Sequence, residues 1–271
     1  MSRTAVITGA SSGIGRELAY NLAEKRFNLI LIARRKEVLE NISRELKSLY
    51  SVDSYVVSHD LSLVDKIDLL VEKILSITSD IDVLINNAGA GIYGSLQELG
   101  DEDIVRIINL NLIAPILLSK KLLPYIVRRR GCIVNISSLA GYLPIPWLEI
   151  YSSTKAALSL FTDALRIELK PYGVRVIGVL PGYVATDFHK NTITTKTSSM
   201  LRVGFRGPVL DPERVAREIV EKILDESFND NLIPSRIYRI SYVFMRIVNP
   251  LVRYYISRDY VKKLRKTNLL P

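Results

Sequence analysis

A chain of 271 residues that is 48% hydrophobic and 24% charged carries enough apolar material for one sizeable core, and no low-complexity or Pro/Gly/Ser-rich stretch divides it. One cysteine, Cys132, excludes an internal disulfide framework, and His59 and His189 stand far apart without metal-ligand spacing, which argues against a zinc site. The net charge of +9 is uneven: residues 235–271 hold nine of the 37 Lys and Arg but one of the 28 Asp and Glu, which leaves 28 basic against 27 acidic residues elsewhere.

The N-terminal "MSRTAVITGA" runs directly into a strand-like apolar segment without a signal-peptide pattern, so a cytoplasmic location is expected. Six short apolar runs follow in order: "TAVITG", "FNLILIAR", "DSYVVSHD", "IDVLINNAG", "GCIVNIS" and "VRVIGVLPG". They are continuous rather than alternating, as suits strands covered on both faces of a parallel sheet. Cys132, inside the fifth run, reads as an inert core thiol. Helix-sized segments separate the runs, at 13–26, 36–50, 62–79, 101–130, 151–171 and 211–227. This alternation predicts an α/β doubly wound parallel sheet, Rossmann-like and three-layered α/β/α, in a single domain over residues 1–228. Residues 229–271 form a basic C-terminal helical extension. Ligands of such a sheet bind at the carboxyl ends of its strands.

The turn after the first strand, "TGASSGIG" at 8–15, has the glycine spacing of a dinucleotide site. Gly9 permits a tight turn, Gly13 lets backbone approach a pyrophosphate, and Gly15 allows close packing. Ser11, Ser12 and Ile14 complete a helix start whose free N–H groups favour negative charge. The second strand ends in "IARRKE", where an acidic residue would take both ribose hydroxyls of NAD. Here Arg34 and Arg35 stand instead, which favours the 2′-phosphate of NADP(H). Arg35 also fits a solvated helix start.

Further along, "YSSTK" at 151–155 sets Tyr151 and Lys155 four residues apart, on one face of a helix. Neither side chain is a useful acid or base at neutral pH alone, since they titrate near ~10 and ~10.4. An adjacent ammonium, joined by the positive charge of an oxidised nicotinamide, is expected to lower the tyrosine toward working pH.

With "NNAG" at 86–89, "NLNLIAP" at 109–115, "NISS" at 135–138 and "PGYVATDF" at 181–188, the chain resembles the short-chain dehydrogenase/reductase family over roughly residues 3–225. The resemblance implies a sheet of about seven strands and hydride transfer between NAD(P)(H) and an alcohol or carbonyl. It makes Tyr151 the catalytic acid/base, Lys155 its partner and the holder of the nicotinamide ribose, Ser138 the donor to the substrate oxygen, and Asn111 the anchor of a relay water. Ser137 and Asn109 are the less probable members of their pairs. Asp60 and Leu61 resemble the family's adenine contacts, although Asp60 also fits a helix cap. Asn87, Ala88 and Gly89 line the adenosine side, and Pro181, Gly182, Val184 and Thr186 wrap the nicotinamide carboxamide.

Substrate specificity is expected from residues 139–150, with Leu143, Ile145, Trp147 and Leu148 as an apolar wall, and from a mobile lid at 187–210. Ile92 and Tyr93 line the opposite side. The reading is an NADPH-dependent carbonyl reductase, or in reverse a secondary-alcohol dehydrogenase, acting on a hydrophobic ketone, aldehyde or alcohol. The alternatives are a 3-oxoacyl or steroid-type ketone reductase and a non-catalytic NADP(H)-binding regulator. The resemblance also implies a homo-oligomer, dimer or tetramer, built on helices 101–130 and 151–171.

In the tail, Arg239, Arg246 and Arg253 recur every seven residues, and Pro250 is expected to kink or break their helix. Docking on the same domain or a neighbouring subunit competes with peripheral attachment to an anionic membrane. Nucleic acid is not expected, because no recognition motif accompanies the charge. A membrane span is not expected either, for lack of an apolar run near ~18 residues.

Overall fold

In the computed structural model, residues 3–200, 207–247 and 249–266 are described. Seven parallel strands form one sheet: β1 (Arg3–Thr8), β2 (Phe27–Ala33), β3 (Ser54–Ser58), β4 (Val83–Asn86), β6 (Cys132–Ile136), β7 (Arg175–Val179) and β9 (Asn231–Leu232). Their order is β3-β2-β1-β4-β6-β7-β9. A second, two-stranded parallel sheet pairs β5 (Ile92–Tyr93) with β8 (Ile193–Thr194).

Helices cover both faces. On one lie α1 (Gly13–Glu24), α2 (Lys36–Tyr50) and α8 (Pro212–Leu224), packed on Ala5, Ile7, Leu29, Leu31, Val134 and Ile177. On the other lie α3 (Ile67–Ile77), α5 (Ala114–Arg128) and α6 (Glu149–Leu169), packed on Val6, Ile30, Leu84, Ile133 and Val176. Successive strand residues thus bury against opposite helix layers, which is why the strands read as unbroken apolar runs. After β3 the chain returns to lay β4 beside β1. The carboxyl ends of those two strands, at Gly9 and Asn87, therefore frame the crevice in which such folds bind ligands.

Three expected elements differ. The helix expected at 62–79 begins as a 3₁₀ turn, Val64–Lys66, and becomes α3 only at Ile67, because Asp60 accepts from the Ser62 N–H and O–H and holds the entry as a turn. The helix expected over 101–130 is α4 (Asp101–Ile108), a π-turn at Asn109–Ile113, and then α5. There the Ala114 N–H donates to the Asn109 carbonyl five residues back. Pro115, having no N–H, leaves the Asn111 carbonyl without its α-helical donor. Within residues 101–128 an 18-residue stretch is long and apolar enough to cross a membrane, with a mean hydropathy of 1.4, but Ile107, Asn111, Leu118, Leu122 and Ile126 of this element are buried in the fold. The extension is two helices, α9 (Arg236–Ile247) and α10 (Asn249–Lys266). Pro250 is the second residue of α10, where a missing N–H costs nothing. Arg239 and Arg246 consequently lie on one helix and Arg253 on the next, and the side chains of Arg246 and Arg253 fall outside the described residues. Within the 187–210 segment the short helix α7 (Lys196–Met200) precedes residues 201–206, which also fall outside the described residues.

Candidate active site

The glycine turn has backbone that side chains would obstruct. Gly9 (φ 68°) and Gly13 (φ 53°) are left-handed. A Cβ on Gly15 would overlap the Gly9 carbonyl oxygen and the Asn87 amide. Thr8, not singled out from sequence, gathers the facing loop: its Oγ1 accepts from the Asn87 N–H at 2.9 Å and the Ala88 N–H at 3.0 Å. Asn87 Nδ2 donates to the Thr8 carbonyl at 2.9 Å. Asn87 therefore ties β4 to β1 and lines the crevice from the same position. Helix α1 opens behind an extended Ser12 that makes no side-chain cap, and its first turn holds no acidic residue. The uncapped N–H groups and the dipole suit a pyrophosphate. Ile14 packs on the core beneath.

At the end of β2 the two arginines diverge. Arg35 turns back over the glycine turn, and its Nη2 donates to Ser11 Oγ at 3.0 Å and to the Ser11 carbonyl at 3.2 Å. It is therefore no freely solvated helix start. Arg34 is mostly exposed and stands 3.9 Å from Asp60 Oδ2. Partial burial pushes the Asp60 carboxyl up, but the Ser62 hydrogen bonds and the charges of Arg34 and Arg106 outweigh it and hold the group below the usual carboxylate range. Asp60 thus serves as the cap of its turn, next to buried Leu61.

Tyr151 is the third residue of α6, and Lys155 follows one turn later. Lys155 is buried, and its Nζ donates to the Ile136 carbonyl at 2.8 Å, 5.9 Å from the centre of the Tyr151 ring. Burial pulls the ammonium down to about 8. The phenol of Tyr151 is pushed up to about 12, also by burial, which outweighs an opposing hydrogen bond with Ser138. Without an oxidised nicotinamide, whose positive charge is part of the expected lowering of Tyr151, desolvation dominates and the ammonium is engaged at Ile136. Ser138 Oγ accepts from the Ala140 N–H at 3.1 Å. The neighbouring Ser137 donates to the Lys155 carbonyl at 2.7 Å and is structural. Asn111, fully buried, donates to the Ala90 carbonyl at 2.9 Å and accepts from the Ala90 N–H at 3.0 Å. Asn109 points away, to the Ser62 carbonyl at 3.4 Å. A Cβ on Gly89 would lie 3.2 Å from Asn111 Oδ1 and 3.4 Å from Lys155 Nζ, so this glycine keeps open the space between those two side chains.

These features fit a nicotinamide dinucleotide: a glycine cradle, an uncapped helix start, an arginine over the phosphate turn, and a buried ammonium with one hydrogen bond for three donors. Across the crevice, Thr186 packs its methyl where a Gly13 Cβ would project, and Val184 bridges to Leu210. Pro181 accepts from the Leu139 N–H at 3.1 Å.

Around the substrate side, Phe188 lies edge-on to Tyr151 at 5.6 Å between ring centres. The pairing of β5 with β8 stitches the 187–198 segment over the site, and two-residue strands are too short for a hydropathy signal. Ile92 is buried with Ile150, Tyr151 and Ile193. Trp147 is buried between Tyr93 (6.0 Å) and Tyr260 of α10 (5.8 Å), and holds a left-handed φ of 68°. Leu143, Ile145 and Leu148 are half-buried beside it. Tyr238 of α9, another residue that sequence reasoning passed over, covers Gly182 so closely that a Cβ there would overlap its ring. Its hydroxyl accepts from the Tyr183 N–H at 3.1 Å and donates to the Pro208 carbonyl at 2.7 Å. Cys132 is a buried thiol pushed up to about 12 by desolvation, and it faces none of this.

The short chain dehydrogenase family model matches residues 3–197. Dehydrogenase/reductase SDR family member 7B of Xenopus tropicalis is 32% identical over 268 residues, covering 96% of this chain and 86% of that protein. Very-long-chain 3-oxoacyl-CoA reductase-B of Danio rerio is 32% identical over 246 residues, covering 88% and 74%. Among solved structures, the alcohol dehydrogenase of the archaeon Thermococcus sibiricus complexed with 5-hydroxy-NADP superposes with a TM-score of 0.75 at 29% identity, covering 86% of this chain and 96% of that one. By the glycine cradle, the Ser138–Tyr151–Lys155 cluster and these matches, the chain belongs to the short-chain dehydrogenase/reductase family of oxidoreductases.

Proposed function

We propose that the protein is an NADPH-dependent carbonyl reductase, in reverse a secondary-alcohol dehydrogenase, for a hydrophobic ketone or aldehyde. The observation that carries the reading is the placing of Tyr151, within the electrostatic reach of Ser138 and one turn from buried Lys155, against Phe188 and Ile92, with the Trp147, Tyr93 and Tyr260 rings packed edge-on in the neighbouring elements. Arg35 above Ser11 supports NADP(H), the guanidinium being suited to a 2′-phosphate. The Thermococcus enzyme carries a nucleotide of this kind.

When bound, NADPH supplies the hydride that reduces the carbonyl carbon. Tyr151, a phenol at neutral pH because burial holds it near 12, donates its proton to the carbonyl oxygen. Ser138 donates a hydrogen bond to that oxygen as negative charge develops. Lys155 holds the ribose hydroxyls with the donors left over from Ile136. The Asn111 carbonyl, freed by Pro115, accepts from a water that returns a proton toward the site. A 3-oxoacyl chain is the second reading, favoured by the similarity to the Danio reductase.

Assembly belongs to the same proposal: Leu160 and Ile167 on α6 are 72% and 76% exposed, apolar groups suited to a second copy. An NADPH-oxidation screen over small aldehydes, cyclic ketones, 3-oxoacyl thioesters and steroid ketones tests the activity. Turnover of the apolar ketones with NADPH preference is expected. NADPH binding without turnover anywhere would instead identify a non-catalytic regulator.

A further inference from the structure

We propose that α9 and α10 dock the protein on an anionic lipid bilayer surface, with the substrate site opening beside that surface. The two helices have different chemistry on their two sides. Inward, α9 buries Tyr238 on Gly182 and packs Tyr242 edge-on to Tyr142 at 4.9 Å, while α10 sets Tyr260 against Trp147. Outward, Ile237, Ile240 and Phe244 recur at helical spacing, 59%, 71% and 60% exposed, beside Val243. Exposed Arg236 and Arg239 flank them. On α10, Tyr254 and Tyr255 are exposed near Arg258 and Lys262.

Aliphatic groups in water are costly, and nothing among the described residues covers these. Charge selects the occupant. Residues 235–271 carry nine Lys and Arg against Asp259, an excess of eight on a body whose remaining charge is +1. A second copy meeting the same face would set two such excesses against each other. Nucleic acid would take the arginines but would leave the isoleucines and phenylalanine uncovered. An anionic bilayer takes both, since lipid phosphates pair with Arg and Lys while the apolar side chains and tyrosines enter the headgroup boundary. Because the inner faces of these same helices touch the 181–183 loop and Trp147, docking holds the site next to the phase into which an apolar substrate partitions.

Docking does not depend on the reading of the reaction, and the test keeps the two apart. The full chain is sedimented with vesicles of phosphatidylcholine alone and of phosphatidylcholine mixed with phosphatidylglycerol, at low and high salt. Binding to the anionic vesicles that weakens as salt rises is expected. Wild-type protein that stays in solution, or that binds both vesicles equally, overturns the proposal. Arg236→Ser with Arg239→Ser, and separately Ile240→Glu with Phe244→Glu, are expected to weaken anionic binding about tenfold or more, with melting temperature and turnover of a small water-soluble carbonyl unchanged. Unaltered vesicle binding by both variants overturns it. So does light scattering in which the same variants dissolve a dimer while vesicles are never bound, which would assign the face to a second copy.

Discussion

Arg35 Nη2 donates to both the hydroxyl and the carbonyl of Ser11, at 3.0 and 3.2 Å, so the residue that leads from β2 into α2 also roofs the phosphate turn that follows β1. Arg34, adjacent in sequence, faces Asp60 across 3.9 Å and is mostly exposed. Of the two guanidiniums, Arg35 is fixed over the turn and Arg34 is loosely held. Arg35→Ala is expected to raise KM for NADPH about tenfold or more and to leave KM for NADH nearly unchanged, one charge-assisted contact being lost. Arg34→Ala should act in the same direction but less. Steady-state kinetics with both cofactors check it; equal effects on NADPH and NADH would rule out a 2′-phosphate role.

Tyr151→Phe removes the proton donor while leaving the ring against Phe188. Turnover is expected to fall by about 10²- to 10⁴-fold, with the NADPH dissociation constant little changed. Stopped-flow single turnover together with a fluorescence titration separates the two quantities. A loss below tenfold would mean that another group supplies the proton.

Lys155 is a cation held where the fold disfavours charge. Its ammonium titrates at 10.5 in an unfolded chain and near 8 when buried. Below about pH 8 both states are charged and the full penalty applies. Between pH 8 and 10.5 the unfolded chain binds the extra proton, so raising pH relieves the penalty. Lys155→Met is therefore expected to be inactive yet more stable at pH 7 by about 2 kcal/mol, the desolvation gain less the unmet Ile136 carbonyl. That advantage should vanish by pH 10.5. Chemical denaturation of both proteins across this range checks it, and a pH-independent difference would contradict the buried-charge account.

Trp147 keeps a left-handed backbone that bulky residues avoid, at an expense of about 1–3 kcal/mol. The Gly94 N–H, donating to its carbonyl at 2.9 Å, and the rings of Tyr93 and Tyr260 hold it there. Trp147→Ala is expected to shift kcat/KM toward bulkier ketones by about tenfold and to leave small aldehydes little affected. Competition assays with paired ketones check this.

Leu160→Asp with Ile167→Asp is expected to reduce the mass in solution to that of the monomer without unfolding the chain, since both side chains already face solvent. Light scattering and circular dichroism read the two outcomes.

The central sheet and the catalytic cluster were legible because each is written locally. Both faces of β1, β2, β4, β6 and β7 are covered, so their apolar runs are continuous, and Tyr151 and Lys155 fall one helical turn apart. What was not legible depends on contacts distant in sequence. Ile92 and Ile193 pair across a hundred residues through two-residue strands. The β9 strand, Asn231–Leu232, exists only because β7 offers an edge. Tyr238 reads as one more aromatic in an amphipathic helix until the backbone of Gly182 is seen beneath it. The weight of burial on the Tyr151 phenol in the protein alone was not legible either, because spacing reports which groups are near and not how far they are desolvated.

The π-turn at Asn109–Ile113 stores one residue more than a regular helix would use. Removing a single residue from this stretch would let the wide turn close to an α-helical one, with the residues on either side keeping their faces. The same residues wound as a regular helix, without the wide turn, would instead rotate Leu118, Leu122 and Ile126 by roughly 100° relative to Ile107 and Asn111. The surplus residue thus acts as a phase adjuster. It lets one helix serve two masters, the sheet along its second half and the Ala90 backbone beside Tyr151 along its first. Length variation, tolerated almost anywhere in a surface loop, is here absorbed by one wide turn beside the Ala90 backbone.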